Sequence, residues 1–398
     1  MFFVCLVVAF VLGSPDRACA QDQYVISTMQ RVYGNMFMLN VGGQFGLAQG
    51  GANFGGGTTG LPSGFRGQSY EADEVSDVVM LDNQWQLWGG AAYTYMNAQG
   101  YTDKSQTHQG YRVHRPGFMG GIRRAFSDTA SGGIMLAFTS PEFRQVGTYE
   151  DYNNINWTGV TSRVDVDVKD FQFALHFDKR FWDDWELTLF AGGGAQWMHW
   201  NRMMQDIGKY NYSANATGNT FTGVIYLARC FDITSQTKLR GLIGLESEHS
   251  WTFGFAESGP AIAEAYMSNS DMSGAFQAYR SGKISYSRNT VRAGLRWSHE
   301  SQVWRMGSSL QILYGYAMGA EAATVSVSSV KVNEALEDYI VIGNIKGYAV
   351  GRHSLTLGGN LHCFLDEAQT FALQMDYTAV LYENLTTQNV ALTLAKQY

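Results

Sequence analysis

Hydrophobic and polar residues alternate along most of the chain from Trp85 onward. The clearest example places apolar or small residues at every second position of one segment: Trp185, Leu187, Leu189, Ala191, Gly193, Ala195 and Trp197. A period of two directs successive side chains to opposite faces of a β-strand. The two tryptophans lie twelve residues apart, which corresponds to about 40 Å of extended strand. Tilted by about 40°, such a strand projects to about 30 Å, close to the hydrocarbon thickness of a bilayer.

This alternation predicts twelve strands. Nine of them fall at 85–96, 116–125, 134–138, 171–177, 185–197, 221–230, 239–251, 291–297 and 310–316, and residues 354–398 supply three more. Val164, Val166 and Val168 precede the fourth strand on the opposite parity. A β-bulge is therefore predicted near Lys169.

The predicted connections between strands alternate in length. Short connections fall near 126–131, 180–184, 232–238, 298–303 and 365–370, and long ones near 97–114, 140–163, 200–219, 252–288 and 317–353. Only the last outer connection, near 382–388, departs from this by being short. Outer-membrane barrels alternate tight periplasmic turns with longer outside loops in this way. The chain is therefore predicted to be an all-β membrane protein, a single closed antiparallel barrel of twelve transmembrane strands.

Composition narrows the class of protein further. Charged residues make up 16% of the 398-residue chain, below the roughly 25% of soluble domains. The mean hydropathy of −0.17 excludes a helical membrane protein, whose spans would need about 20 apolar residues each. A net charge of −7 argues against a nucleic-acid partner, because such proteins favour a basic face.

The first twenty residues differ from the rest of the chain. Met1 to Leu12 form a continuous apolar run that is too short to span a bilayer as a helix. Ala18-Cys19-Ala20 then fits a small-residue cleavage site before Gln21. Residues 1–20 are therefore predicted to be a signal peptide.

Residues 21–80 are predicted to form a linker to the barrel, which occupies 81–398. Apolar residues recur there at spacings of three and four: Val25, Met29, Val32, Met36 and Leu39. This spacing is typical of an amphipathic helix, which either occupies the pore as a plug or packs elsewhere. The Gly-rich stretch from 42 to 67 follows and is predicted to be a flexible tether.

The end of the chain has a recognisable order of segments: Val350-Gly351-Arg352-His353-Ser354-Leu355-Thr356-Leu357-Gly358-Gly359-Asn360-Leu361, a short turn, the strand at Phe371 and a terminal aromatic strand. These segments resemble the end of an autotransporter translocator barrel, the membrane domain of type V secretion. The resemblance covers about residues 85–398. Lys396 departs from it, because the family prefers an aromatic or aliphatic residue at this outward position.

The resemblance implies a monomeric barrel in the outer membrane of a Gram-negative bacterium, in contact with the lipid bilayer. It implies a translocation pore that anchors an N-terminal segment, and insertion by the outer-membrane barrel-assembly machinery. Tyr398, with Leu394 and Leu392 behind it on the same parity, resembles the assembly signal. About sixty residues lie between the predicted signal peptide and the barrel, so a very short or missing passenger is expected. The alternative functions are a small-solute porin and an outer-membrane hydrolase.

No enzyme, cofactor or metal site is predicted. The eight histidines are scattered, and none stands in a recognisable pairing with a nucleophile and an orienting group. No Cys/His spacing supports a metal site. Trp185, Trp197, Trp251 and Trp297 are predicted instead to mark the membrane interfaces.

Charged residues on the polar parity are predicted to face the lumen: Arg123, Arg240, Glu246, Glu248, Arg292, Arg296 and Asp376. One interpretation is a structural ion-pair network that fills a narrow polar interior. The other is a functional lining that sets pore selectivity or holds a plug helix. The structural interpretation is favoured.

Overall fold

The computed structural model describes residues 85–98, 101–103, 106–108, 111–127, 130–149, 160–181, 185–204, 210–234, 237–259, 279–301, 306–319, 324–329, 341–346, 351–365 and 371–397. The predicted signal peptide at 1–20, the linker and plug helix within 21–80, and Tyr398 lie outside these residues. They stay predictions.

Twelve antiparallel strands form the barrel. In chain order they are β1 Trp85–Ala98, β2 Tyr111–Ser127, β3 Ala130–Thr139, β4 Val160–Phe181, β5 Trp185–Met204, β6 Tyr210–Thr234, β7 Thr237–Thr252, β8 Ile284–Ser301, β9 Met306–Gly319, β10 His353–Phe364, β11 Phe371–Tyr382 and β12 Leu385–Gln397. β1 pairs with both β2 and β12, so the sheet closes on itself. The predicted closed twelve-stranded barrel is confirmed.

The strands are strongly tilted relative to the barrel axis. The pairing can be followed from each residue to its partner on the next strand. Starting at Trp85 of β1, this row reaches Tyr316 of β9 and then His353 of β10. Its continuation through β11 and β12 returns to β1 about 14 residues beyond Trp85, which for twelve strands corresponds to a tilt of about 40°.

Connections differ in length between the two ends of the barrel. β1 starts at the end that carries short connections, here called the short-turn end, and the opposite end is the long-loop end. Short extra strands at the long-loop end belong to its connections: Tyr101–Asp103, Gln106–His108, Glu142–Tyr149, Phe255–Ala256, Tyr279–Ser281, Thr324–Ser329 and Val341–Lys346. Within the part of the chain that the structure describes, no helix is long and apolar enough to cross a membrane.

One predicted long connection is wrong. Residues 200–219 were expected to form a loop, but β5 continues to Met204 and β6 begins at Tyr210. The two strands stay paired from Trp185↔Arg229 to Met204↔Tyr210. Because this pairing continues above the membrane, a polar stretch that is typical of a loop forms a strand.

Two belts of outward-facing side chains bound an apolar band. From β1 to β12, each row of paired residues rises toward the long-loop end by slightly more than one residue per strand. After correction for this rise, the members of each belt lie at similar heights along the barrel axis. The upper belt contains Tyr95, His114, Phe221, His249, Tyr316 and His353. The lower belt contains Trp85, Arg124, Lys179, Trp185, Arg229, Phe231, Trp297, Phe371 and Lys396. Trp85 and Tyr95 are ten residues apart on β1, so the belts are separated by about 25 Å, the height of an outer-membrane apolar band.

Inward-facing residues change character at the upper belt. Between the belts they are largely polar. Above the upper belt many of them are apolar and buried: Tyr111, Val113, Phe143, Val166, Val168, Trp200, Tyr212 and Phe255. Ser250, Thr252 and Glu257 are buried at this level as well. Outward positions become polar at this level. On β4, for example, Asp165 and Asp167 face away from this core. Above the lipid, the wall follows the ordinary rule of a soluble protein, with apolar residues inside.

The prediction of a β-bulge near Lys169 is wrong, because the change in residue type there reflects this exchange of environments. β4 pairs with β5 without a register shift from Ser162↔Met204 to Phe181↔Trp185. Val166 and Val168 keep the parity of an unbroken strand and point inward, where they are buried. Along β4 the apolar face changes from the outer to the inner side of the wall, while the backbone continues without a bulge.

Candidate functional site

The barrel interior is the candidate site, because it is where the strands bring charged side chains together. Inward-facing side chains less than one-tenth exposed include seven basic residues (Arg115, Arg123, Lys238, Arg240, Arg288, Arg292 and Arg296) and seven acidic residues (Asp170, Asp178, Glu186, Glu246, Glu248, Glu257 and Asp376). This set therefore carries no net formal charge. Equal numbers of opposite charges make mutual pairing possible away from bulk water.

The best-defined cluster is centred on Arg292 of β8. Its Nε lies 3.0 Å from Oε2 of Glu246 on β7, and both side chains are almost fully buried. The Tyr226 hydroxyl donates to the other oxygen of Glu246 at 2.7 Å. Arg292 also donates from Nη1 to the hydroxyls of Ser354 at 3.4 Å and Thr356 at 3.1 Å. This cluster joins β6, β7, β8 and β10 through side chains.

Glycine makes room for this cluster. A Cβ added to Gly244 would lie 2.3 Å from the ring of Tyr226, and one added to Gly315 would lie 2.9 Å from Nη1 of Arg292. The Tyr226 ring thus lies flat against the wall at Gly244, where a larger residue would displace it. The close approach needs a position without a side chain.

A second group of charges lies near the short-turn end. Arg240 of β7 places Nε 3.7 Å from Oε2 of Glu186 on β5 and donates from Nη1 to Ser298 at 3.0 Å. Arg123 of β2 lies 3.5 Å from Asp178 on β4 and donates to the hydroxyl of Ser131. Both arginines therefore link strands that are not neighbours in sequence.

The sequence analysis missed one interior cluster. Arg115 donates from Nη2 to Asp170 at 2.9 Å and from Nε to Thr139 at 3.1 Å. Gln172 donates to the second oxygen of Asp170 at 2.6 Å. The predicted second and fourth strands began at Pro116 and Phe171, one residue after Arg115 and Asp170. Extending the alternation by one residue at each start would have placed both residues on the inward face.

Three of the predicted lumen residues have other partners. Asp376 of β11 accepts hydrogen bonds from Asn360 at 2.9 Å and from Gln374 at 3.0 and 2.9 Å. Arg296 donates to Ser309 at 2.8 Å. Glu248 is buried and lies opposite Arg288 in the β7–β8 register. The seven predicted positions are thus distributed over several separate clusters and do not converge on one point.

The predicted interface tryptophans lie at two different heights relative to the belts. Trp185 and Trp297 belong to the lower belt, and the ring of His299 stacks on Trp297 with 6.0 Å between centroids. Trp197 and Trp251 lie about three residues above the upper belt, and Trp197 is 51% exposed. Leu392 and Leu394 face outward on β12, where they are about half exposed.

Histidines of the upper belt are paired with aromatic residues. Nδ1 of His114 shares a hydrogen bond with the Tyr93 hydroxyl at 2.6 Å, and Nδ1 of His353 does so with Tyr314 at 2.5 Å. Both pairs face outward. Among the described residues, no group of three or more His, Cys, Asp or Glu side chains could hold a metal ion.

A comparison with protein families decides what kind of barrel this is. The model of the autotransporter β-domain matches residues 87–377. The chain belongs to the autotransporter β-domain family. Autotransporter β-domains are outer-membrane translocation pores of Gram-negative bacteria and are transporters rather than enzymes. The chain is thus an outer-membrane barrel of this kind, as its C-terminal resemblance implied.

The chain is also similar to solved autotransporter structures. The translocator domain of the autotransporter NalP from Neisseria meningitidis has a TM-score of 0.54 and 9% identity, over 81% of this chain and 92% of that chain. The β-domain of the Bordetella autotransporter BrkA has a TM-score of 0.48 and 11% identity, over 78% of this chain and 98% of that chain. No curated protein sequence matches the chain.

Proposed function

We propose that the barrel is a translocation pore and anchor for the segment that precedes Trp85, with no catalytic site of its own. The observation that carries this proposal is the position of β1, which begins at the short-turn end. Short turns of outer-membrane barrels lie on the periplasmic side. A preceding segment that reaches the cell surface must therefore cross the barrel interior.

We propose a structural role for the charged interior residues. The hydrogen bonds of Arg123 and Asp376 tie neighbouring strands together, and those of Arg292 reach from β8 to β10. The buried charged residues carry no net formal charge. A strongly selective channel would instead be expected to carry rings of one sign of charge. This argument supports a wall that tolerates a passing polypeptide of any charge.

Residues 21–80 are proposed to occupy the interior, with the Val25–Leu39 segment as a plug. The test compares single-channel conductance in planar bilayers for the full chain and for a chain lacking residues 21–80. The conductance is expected to rise in the shortened chain, because a helix about 10 Å across would leave the lumen. Equal conductance would exclude the plug.

The same purified barrel tests the non-enzymatic proposal. Phospholipid vesicles and a mixed peptide library are incubated with it, and no products are expected. A hydrolytic activity that is lost in a single interior variant, such as Asp170→Asn, while the barrel remains folded would contradict the proposal.

Assembly is proposed to depend on the barrel-assembly machinery and to yield a monomer. β12 must pair with β1 to close the sheet, and it does so over the whole length from Gln86↔Gln397 to Ala98↔Leu385. Unpaired backbone groups cost several kcal/mol each in lipid. The outward-facing Leu392 and Leu394 are the part of this strand that the assembly machinery would recognise together with Tyr398.

A further inference from the structure

The outward face of β5 carries a shallow channel between two rows of large side chains. Its outward positions from Ala191 to Ala195 are small, whereas the positions paired with them on β4 are large and exposed: Leu175, Phe173 and Phe171. On the other side of the channel, Phe221 and Ile225 of β6 are exposed as well. A cavity of about 380 Å³ lies at the lower end of the channel, around the paired residues Ala191 and Gly223. Most of the residues that line it face outward, so the cavity belongs to the membrane-facing surface.

This channel lies in the half of the apolar band that adjoins the long-loop end. Ala191 is six residues above Trp185 of the lower belt, and the two belts are about ten residues apart on a strand. Short turns of outer-membrane barrels lie on the periplasmic side, so this half of the band contacts the outer leaflet. An empty indentation in the wall would lose the contacts that an acyl chain gains by filling it. The channel therefore matches an acyl chain of the outer leaflet.

Polar groups replace apolar ones at the top of the channel. On β7, Leu245 and Ser247 line the cavity, and His249 follows two residues above Ser247 in the upper belt. Nε2 of His249 lies 3.1 Å from the Ser247 hydroxyl, so the two side chains share a hydrogen bond. This pair stands at the boundary of the apolar band. The polar linkage between the acyl chain and the headgroup of a lipid lies at the same level.

Exposed aromatic rings lie above the channel. Trp197 follows the small residues of β5 and is 51% exposed, and Phe253 is 47% exposed. Thr217 of β6 lies between them, because it pairs with Trp197 and its carbonyl oxygen accepts a hydrogen bond from the backbone N–H of Phe253 at 2.9 Å. Trp251 is held by Asn219, which accepts a hydrogen bond from Nε1 at 3.2 Å in the amide orientation that satisfies both of its groups. Trp197, Trp251 and Phe253 are here called the aromatic platform.

The aromatic platform stands above the hydrocarbon of the membrane. Trp197 and Trp251 lie about three residues above the upper belt, which corresponds to about 8 Å along the barrel axis. The headgroup region of an ordinary bilayer leaflet is only about 5–7 Å thick. The two rings are therefore at the height of a headgroup that is larger than that of a phospholipid.

Rings and neutral polar groups, rather than charge, distinguish this surface. Lys169 and Asp167 are both exposed on β4, where they pair with Trp197 and His199, so both signs of charge lie beside the platform. A sugar ring has a face of C–H groups, which pack on the negative face of an aromatic ring. Its hydroxyl groups match amide and hydroxyl side chains such as those of Asn219 and Thr217. The platform thus fits a saccharide better than a bare phosphate.

We propose that the outward face of β4 to β7 binds a glycolipid of the outer leaflet. One acyl chain lies in the channel, with its end in the cavity at Ala191 and Gly223. The polar linkage lies at Ser247 and His249, and the saccharide packs on the aromatic platform. Channel, linkage and platform follow one another in the order in which a lipid of this class presents its chain, linkage and headgroup.

Native mass spectrometry of the intact barrel tests the proposal. The full chain is purified and incubated with equal amounts of short-saccharide lipopolysaccharide and phosphatidylglycerol, and the ratio of the two lipids retained is measured. Both lipids carry anionic phosphate, so a preference does not follow from charge alone. The platform variant is Trp197→Leu with Trp251→Leu. Its matched control is Trp185→Leu with Trp297→Leu, which makes the same changes at the lower belt.

We expect the unchanged barrel to retain the lipopolysaccharide preferentially. The platform variant should lower the ratio about fivefold or more, as expected for the loss of two aromatic contacts, and the control should leave it unchanged. A channel variant, Ala191→Leu with Gly223→Leu, should cause a similar loss because its side chains fill the cavity. No preference in the unchanged barrel, an unchanged ratio in either site variant, or an equal loss in the control would overturn the proposal. Barrels that associate through this face into dimers and retain no lipid would overturn it as well.

A variant with Trp197→Asn and Phe253→Asn keeps the proposal testable if the leucine variant does not fold. Both rings are about half exposed above the hydrocarbon, where surface substitutions have small effects on stability. Heat-modifiable gel mobility checks that the barrel is folded. We expect the same direction of change in the ratio of retained lipids. A folded asparagine variant with the full preference for lipopolysaccharide would contradict the role of the rings.

Discussion

Breaking the Arg292–Glu246 pair should destabilise the barrel far more than removing the pair as a whole. The two charged groups are 3.0 Å apart, and their side chains are 1% and 2% exposed. At an effective dielectric constant of about 20, the attraction between unit charges at this distance is about 5 kcal/mol. Desolvation of both groups offsets much of it. The net contribution of the pair is therefore small, while either charge alone is costly.

The single change Arg292→Met leaves the Glu246 carboxylate buried without its cation. We expect it to lower the free energy of unfolding by about 3–5 kcal/mol. The change Glu246→Met should cost a similar amount. The double variant, which replaces both by side chains of similar length, should cost much less than the sum of the two single changes.

Urea-induced unfolding of the barrel in lipid vesicles measures these differences, with tryptophan fluorescence and heat-modifiable gel mobility as two independent probes. Arg144→Met is the matched control. Its partner Asp165 lies 3.4 Å away, but Arg144 is 63% exposed, so the loss should be below about 1 kcal/mol. Additive effects in the double variant, or a cost for Arg292→Met no greater than for Arg144→Met, would refute this account of the interior.

Two further predictions concern the wall and its closure. Gly244→Ala should cost about 1–3 kcal/mol in the same unfolding assay, because the added methyl group meets the ring of Tyr226 at 2.3 Å. Gly223→Ala is its control and should be close to neutral, since the nearest atom would lie 3.9 Å away. Deleting Tyr398 should sharply lower the folded fraction in purified outer membranes, and Lys396→Tyr should raise it or leave it unchanged. Normal assembly without Tyr398 would show that the terminal aromatic residue is not part of the signal.

Alternation of residue types was sufficient to predict the barrel between the two belts. In β5 the outward positions from Trp185 to Trp197 follow the period without interruption, and in β8 the opposite parity carries Arg292 and Arg296 into the interior. Lipid on one side and a polar interior on the other impose this pattern on every strand. Each strand therefore carries the information for its own two faces.

Partners of the interior charges could not be predicted in the same way. Glu246 lies opposite Thr290 in the β7–β8 register, which brings Arg292, two residues further along β8, within reach. A register shifted by one residue would have changed every such neighbour. Arg115 and Asp170 meet across a strand, and neither residue carries a sign of the other in its local sequence.

What the sequence by itself determined is the class of the protein, its twelve strands and the face on which most membrane-embedded residues lie. Only the tertiary structure decided where the strands leave the membrane. The extension of β5 and β6 beyond the upper belt and the inward direction of Val166 and Val168 both depend on that boundary. The physical reason is that an alternating pattern indicates different environments on the two faces of a strand but does not indicate which of them is lipid. The surroundings of a residue are fixed by its height in the barrel, and this height follows from the tilt and register of all twelve strands together.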